Sequence, residues 1–438
     1  MVGVENKIQR YDSYKHSGVE WLGEIPEHWE LLANKYVFKL KKNQVGKNSD
    51  NYDLLSLTLR GIVIRNIEDG GKFPAEYDTY QEVKNGDFVF CLFDVEETPR
   101  GVGLSKYDGM ITGAYTVMEP KTGYDRGFLY YFYLNLDTDK RLRPLYTGLR
   151  NTISKDNFFA FKTFVPPLSE QTAIAQFLDD KTSKIDHAVS VKEKQIELLK
   201  ERKQILIHKV VTRGLDDTVT LKDSGVAWIG EIPEHWEVKR LKNVCYINQK
   251  ALPDTTNKDF EFQYVDIGSV NLEDGIIETE KYLFKNSPSR ARRIAKPGDT
   301  IISTVRTYLK AIDFINEEKS KYIYSTGFAV LQPVTFIYPE YLANFVRSDA
   351  FTEQVTINSK GMSYPAINST DLSRLFVVHP DIEEQKEISD YIEIASQKID
   401  TAISLKQQEI EKLKEYKSSL INSVVTGKIR VANFKINK

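Results

Sequence analysis

Two stretches of the chain repeat apolar positions at alternating steps of four and three. The first runs through Ile185, Val189, Lys192, Ile196, Leu199, Lys203, Leu206 and Val210. The second runs through Ile399, Ile403, Lys406, Ile410, Leu413, Lys417, Leu420 and Val424. This spacing keeps one face of a helix apolar and predicts a coiled-coil seam. Lysine stands at the same two places in both stretches, where its methylenes lie along the seam while the ammonium stays in water. Two matching stripes in one chain predict that the helices pair with each other; packing of each on its own domain is the alternative. Glu170 and Glu384 put acids at the positive helix starts, Ser169 is a candidate N-cap, and Gly214 and Gly427 supply the stops.

Elsewhere the apolar residues come in short runs that predict strands. "DLLSLTLRGIVIRN" (53–66) and "GDFVFCLF" (86–93) lie in the first half of the chain. "FQYVDIGSV" (262–270) and "GDTIISTV" (298–305) lie in the second. In both halves a Gly-Asp pair opens one such run, at Gly86-Asp87 and Gly298-Asp299. A Gly-led run then follows in the same order, "TGAYTVMEP" from Thr112 and "TGFAVLQP" from Thr326. These echoes predict two mixed α/β blocks that share a fold and differ at the surface.

The halves are bounded by near-verbatim repeats. "SGVEWLGEIPEHWE" (17–30) returns as "SGVAWIGEIPEHWE" (224–237), differing only at 20/227 and 22/229. The helical stretches repeat as well: Glu170-Gln171 matches Glu384-Gln385, and Val210-Val211-Thr212 matches Val424-Val425-Thr426. Two long units are a duplication, since a solenoid needs many short ones. The expected organisation is a repeated segment (1–30), a variable block (31–165), a helical repeat (166–214), the segment again (215–237), a second block (238–379) and the second helical repeat (380–438). The fold class is α+β: two similar mixed α/β domains separated by a long antiparallel two-helix coiled coil, with internal pseudo-twofold symmetry.

Composition narrows the function. The chain has 438 residues, 41% hydrophobic and 28% charged, too many for one core. No run is long and apolar enough for a membrane span, and the N-terminus lacks the apolar core of a secretory signal. Two cysteines, Cys91 and Cys245, suit a reducing compartment, and a cytoplasmic location is expected. Net charge is −2, which excludes a uniformly basic nucleic-acid binder but not a local basic surface. Between 285 and 310 the chain places seven Lys or Arg and one acid, Asp299.

A search for catalytic motifs returns little. There is no phosphate-binding Gly-x-x-x-x-Gly-Lys-Ser/Thr loop, and "GVGLSK" (101–106) has Lys106 where a dinucleotide fingerprint needs its third glycine. The six histidines and two cysteines have no metal-ligand spacing. "PDIEEQK" (380–386) carries the letters of a metal-dependent nuclease site, but packs them into a helix start, and the first repeat has Pro167 and Thr172 in place of Asp381 and Lys386. No catalytic residue and no metal site are expected.

Two variable blocks, each preceded by "W-I/L-G-E-I-P-E-H-W" and followed by a helix of the form "P-x-x-E-Q…K-I-D…VVT", resemble the specificity subunits of type I restriction–modification systems. The resemblance covers nearly the whole chain. It implies that each block is a target-recognition domain for half of a bipartite double-stranded DNA site, and that the paired helices set the gap. At about 1.5 Å per residue the stretch 185–210 is roughly 39 Å long, close to the roughly 34–36 Å of one duplex turn. It also implies a non-catalytic chain that recruits two modification subunits and restriction subunits. S-adenosylmethionine, ATP and Mg2+ belong with those partners, and no cofactor with this chain. A coiled-coil protein scaffold that binds no DNA is the alternative.

Side chains able to reach phosphates or base edges are then the candidates for DNA contact. In the first block these are Arg60, Arg65, Arg100, Lys106, Arg150 and Asn151. In the second they are Arg290, Arg292, Arg293, Arg306, Lys310, Lys360 and Ser363. The partner or coil interface is expected at the apolar seam positions together with Trp21, Trp29, Trp228 and Trp236. The tryptophan phrase reads equally well as a docking surface and as a core plug between block and coil.

Overall fold

A computed structural model describes residues 9–19, 22–65 and 76–431. Its contacts divide into two compact units. One comprises the chain up to Lys192 together with the chain from Gln408 onward; the other runs from Glu193 to Gln407. Each long helix, Leu168–Arg213 and Ile382–Val425, therefore gives one half to each unit.

Both units are built on the same four-stranded antiparallel sheet. In the first, the strand order is Phe38–Leu40, Thr116–Pro120, Phe88–Phe90, Val102–Leu104. In the second it is Cys245–Ile247, Phe328–Pro333, Thr300–Ser303, Ile312–Phe314. The Gly-Asp echo has its cause here. Gly86 and Gly298 both take φ +89°, a conformation side chains resist, just ahead of the inner strand. The following aspartate turns inward: Asp87 accepts from the Lys84 N–H at 2.7 Å and Asp299 from the Lys296 N–H at 2.8 Å. Lys41 also reaches Asp87, at 2.6 Å, whereas burial alone pushes the Asp299 carboxyl up.

The peripheries differ. The run at 53–66 is not one strand but a hairpin, Leu55–Thr58 against Gly61–Ile64, because Gly61 adopts φ +94° and turns the chain back. The second unit has a sheet of Glu280–Leu283, Glu261–Val265, Ile323–Ser325 and Ala291–Ile294, which includes a parallel pair; the first echoes it more loosely, with Gln81–Val83 antiparallel to Gly109–Ile111 and Met110 bridged in parallel to Leu54 beside the hairpin. The core of the first unit is rich in rings. Phe38, Phe88, Phe90 and Tyr133 meet edge to face or stacked, with centroids 5.2–5.8 Å apart. That of the second is more aliphatic, around Ile302, Leu331, Leu342 and Val377.

Within each unit the helices run antiparallel. In the first, Lys417 meets Asp186 at 2.7 Å and Lys192 meets Glu409 at 2.5 Å, so one helix ascends as the other descends. In the second, Lys203 meets Asp400 at 2.8 Å, and Ile207 shares a core with Ile388 and Ile392. The 203–400 pair is the 417–186 pair with the helices exchanged. Lys192, Lys203 and Lys417 of the seam are half-buried along their stems and end on carboxylates of the opposite helix. Ile185, Val210, Ile410, Leu420 and Val424 are buried; Val189, Ile196, Leu199, Leu206, Ile399, Ile403 and Leu413 are partly buried.

The repeated phrase locks these helices to the sheet. Trp29 is fully buried, and its indole N–H donates to Glu170 at 3.1 Å while His28 Nε2 lies 2.8 Å from the same carboxylate. Trp236 and His235 do the same to Glu384, at 3.2 and 2.8 Å. Each tryptophan also faces the far end of the other long helix. A Cβ on Gly427 would stand 2.3 Å from Pro26 and 3.5 Å from Trp29; one on Gly214 would stand 3.4 Å from Trp236. Both glycines take positive φ, +74° and +73°, and end the helices as expected. The neighbouring glutamine ties in the block. Gln171 accepts from the Asp125 N–H and Gln385 from the Tyr338 N–H, each at 2.8 Å and each near the start of the helix that follows the sheet. Ser169 lies inside the first helical turn rather than ahead of it. Asp381 caps the second helix by accepting from the Glu384 N–H at 2.9 Å, so the nuclease-like letters serve a helix start. Trp228 is 44% exposed, and Trp21 lies outside the described residues.

The joint and the seam make separate predictions for urea unfolding of the full chain. Glu384→Ala strips the acceptor from a buried indole and is expected to cost about 1–3 kcal/mol, with Glu384→Gln milder because one oxygen remains. Ile410→Ala is expected to cost about 2–5 kcal/mol, whereas Asp400→Asn costs less than about 1 kcal/mol because the carboxylate of the pair it breaks is exposed to water.

Candidate nucleic-acid interface

In each unit the end of an inner strand and a later loop are braced together. In the second unit the chain leaves Thr300–Ser303 and turns through Arg306 and Lys310, both with left-handed backbone at φ 52° and 46°. Non-glycine residues held in this conformation are strained, and such strain gathers at functional sites. The loop beside it closes where Lys360 and Ala366 exchange backbone hydrogen bonds of 2.8 and 2.9 Å. It is joined to the turn by the Ile367 N–H donating to the Thr304 carbonyl at 2.9 Å and by a 2.9 Å contact between the Thr307 and Ser359 hydroxyls.

The first unit repeats this with other residues. Asp94, at φ 44°, follows the strand Phe88–Phe90 and donates its N–H to the Arg150 carbonyl at 2.9 Å. The loop closes between Thr147 and Thr152 with bonds of 2.9 and 3.1 Å, and the Ile153 N–H donates to the Leu92 carbonyl at 2.8 Å. Asp94 thus stands where Arg306 stands in the other unit. Local charge differs accordingly. In the first unit Arg150 grips Asp94 with two bonds, 3.0 and 2.5 Å, and this contact holds the Asp94 carboxyl below the usual carboxylate range. Arg143 pairs with Glu96, and Asn151 donates to Glu97 at 3.3 Å. In the second unit Arg306 is exposed, its guanidinium 5.1 Å over the Tyr364 ring, and no carboxylate of the described residues pairs with it. Lys310 is 3.2 Å from Asp349 and Lys360 is 3.5 Å from Asp371.

The candidates from the sequence therefore separate. Arg306, Lys310, Lys360 and Ser363 come together on one braced surface, as do Arg150 and Asn151. Arg60 is exposed at the turn of the hairpin, and Arg65 is partly buried just beyond it. Lys106 is exposed in a turn. Arg100 faces inward, 3.4 Å from Asp137, with its Nε buried and unpartnered among the described residues. Arg290, Arg292 and Arg293 lie on or beside the additional sheet. Arg290 binds Asp266 at 2.8 Å, Arg292 covers the Phe284 ring at 4.7 Å, and burial pushes the Arg293 guanidinium down. Sequence reasoning passed over Asp94, Glu97, Tyr308 and Tyr364. The shared place of Asp94 and Arg306 was discoverable, since each lies eight residues after the Gly of its Gly-Asp pair. Among the described residues no group of three or more His, Cys, Asp or Glu side chains is arranged to hold a metal ion, and no helix is long and apolar enough to cross a membrane.

Comparison with known proteins adds an independent line. The family profile described as "Type I restriction modification DNA specificity domain" matches residues 233–415. The type I restriction enzyme MjaVIII specificity subunit of Methanocaldococcus jannaschii is 28% identical over 305 residues, 66% of each chain. The putative MjaX specificity subunit of the same organism is 25% identical over 432 residues, 94% of this chain and 96% of its own. A chain solved in work on complex assembly and conformational transition of the type I R-M system superposes with a TM-score of 0.64 at 15% identity, covering 92% of this chain and 98% of the other. The HsdS subunit from Thermoanaerobacter tengcongensis does so with 0.52 at 15% identity, covering 94% and 100%. At such identity the structural likenesses establish the fold. The duplicated layout, the matching sheets, the profile over residues 233–415 and the relatives together make this chain similar, over nearly all of its length, to the specificity subunits of type I restriction–modification systems.

Proposed function

We propose that this chain chooses the DNA sequence on which a type I restriction–modification complex acts, reading one part of a bipartite site with block 31–165 and the other with block 238–379. It supplies recognition rather than catalysis. The observation that carries this reading is the pairing of identical frames with unlike loops. The same sheet, the same left-handed turn and the same closed loop occur twice, yet one surface carries Asp94, Glu97 and Arg150 and the other Arg306, Lys310 and Lys360. Carboxylates accept from cytosine amino groups, and arginine donates to guanine in the major groove; two such surfaces suit two different half-sites. A protein scaffold without DNA binding gives no reason for this contrast.

The duplicated joint supports the second part of the reading. Two equal surfaces fit two copies of one modification subunit, and restriction subunits join that assembly in the cytoplasm. S-adenosylmethionine, ATP and Mg2+ are assigned to those partners. The paired helices are assigned as the spacer that sets the gap between half-sites.

Mapping adenine methylation in cells with and without the gene tests this directly: loss of one two-part motif is expected, and an unchanged methylome contradicts it. In the complex, Arg306→Ala is expected to weaken DNA binding by about 1–3 kcal/mol and to blur one part of the motif while leaving the other intact. Unaltered methylation removes Arg306 from the reading surface.

A further inference from the structure

Single apolar side chains scattered over a surface are ordinary. Here one recurs at the same place in two domains whose sequences have diverged. Leu149 is 104% exposed in the loop closed by Thr147 and Thr152, and Met362 is 102% exposed in the loop closed by Lys360 and Ala366. Each directly follows a glycine with positive φ, Gly148 at +69° and Gly361 at +106°. Each loop ends on a buried isoleucine, Ile153 or Ile367, and then on a helix capped by the Ser154 or Asn368 side chain. The backbone is thus fixed on both sides of a tip that exposes all of its apolar surface to water.

We propose that Leu149 and Met362 are apolar wedges that enter the base stack of the DNA, one at each half-site. The inference rests on the DNA-reading function argued above and adds the residues that loosen the duplex. Methylation of a base requires that base to leave the stack. An apolar side chain pushed between neighbouring bases replaces part of the lost stacking and kinks the duplex. A tip whose backbone is already braced loses little further freedom when it enters. The neighbours favour DNA over a protein partner. In the second unit the tip stands in one loop with Lys360 and Tyr364, beside Arg306 and an exposed Tyr308. Cations for phosphates interleaved with stacking faces suit nucleic acid, whereas the centre of a protein interface is depleted of charge.

The test uses the full chain in complex with its modification subunits, on duplexes carrying 2-aminopurine at the target adenine of one half-site. Met362→Ala is expected to suppress the fluorescence rise on binding and to slow methylation by roughly tenfold or more at the half-site read by its block. The other half-site and the recognised sequence are expected to stay as in the wild type. Met362→Leu restores both signals, and Leu149→Ala gives the mirror result. Wild-type fluorescence and rates in both alanine variants overturn the wedge while leaving DNA reading intact. Absence of a two-part motif in the wild-type complex overturns the underlying function instead. Loss of the modification subunit from the Met362→Ala complex on gel filtration assigns the tip to protein docking, and also overturns the proposal.

Discussion

A buried indole N–H must have an acceptor, and in both units that acceptor is a carboxylate at the start of a long helix. Glu170 serves Trp29 and Glu384 serves Trp236. An acid there is favoured by the positive helix start, and leaving the indole unpaired inside the core is costly. The opposite helix contributes its glycine end, because any larger residue at Gly427 collides with Pro26. Each joint therefore needs the start of one helix and the end of the other. A chain with two such helices needs the tryptophan phrase twice. The phrase is in this respect a core plug, and that role is compatible with an outer face open to partners, where Trp228 is exposed.

With the joint fixed, the rest of each block is free to vary away from it. The next residue in the helix, Gln171 or Gln385, secures the block's own helix, and the four central strands keep one order. Divergence begins at the periphery, where the second unit has a four-stranded sheet and the first has a looser arrangement, the pair Gln81–Val83 and Gly109–Ile111 bridged in parallel to Leu54 beside its hairpin. It reaches the braced loops as a change of charge on a conserved backbone path, from Asp94 to Arg306. Keeping the path while changing the side chain lets one scaffold present different donors and acceptors.

Local signals made much of this legible. The alternating seam, the glycine stops and the Gly-Asp openings depend on neighbours in sequence, and the structure follows them. The long-range partners were not legible. Trp29 and Glu170 are 141 residues apart, and nothing local to either announces the other. The hairpin at Leu55–Ile64 looks like a single run in the sequence because the apolar alternation continues across Gly61, whose positive φ is invisible to a hydropathy pattern. Basic residues of two kinds look alike in the sequence for a similar reason. Arg100 and Arg293 look like surface cations in the sequence, but one faces Asp137 and the other is partly buried on a strand.

The central claim is that two unlike readers stand on one repeated frame. It is tested most directly by replacing block 31–165 with a second copy of block 238–379 and mapping adenine methylation made by the hybrid complex. Equivalent frames predict an active complex whose two-part site becomes symmetric, with the half-site of the second block now read twice. Retention of the original asymmetric motif by an active hybrid contradicts the account.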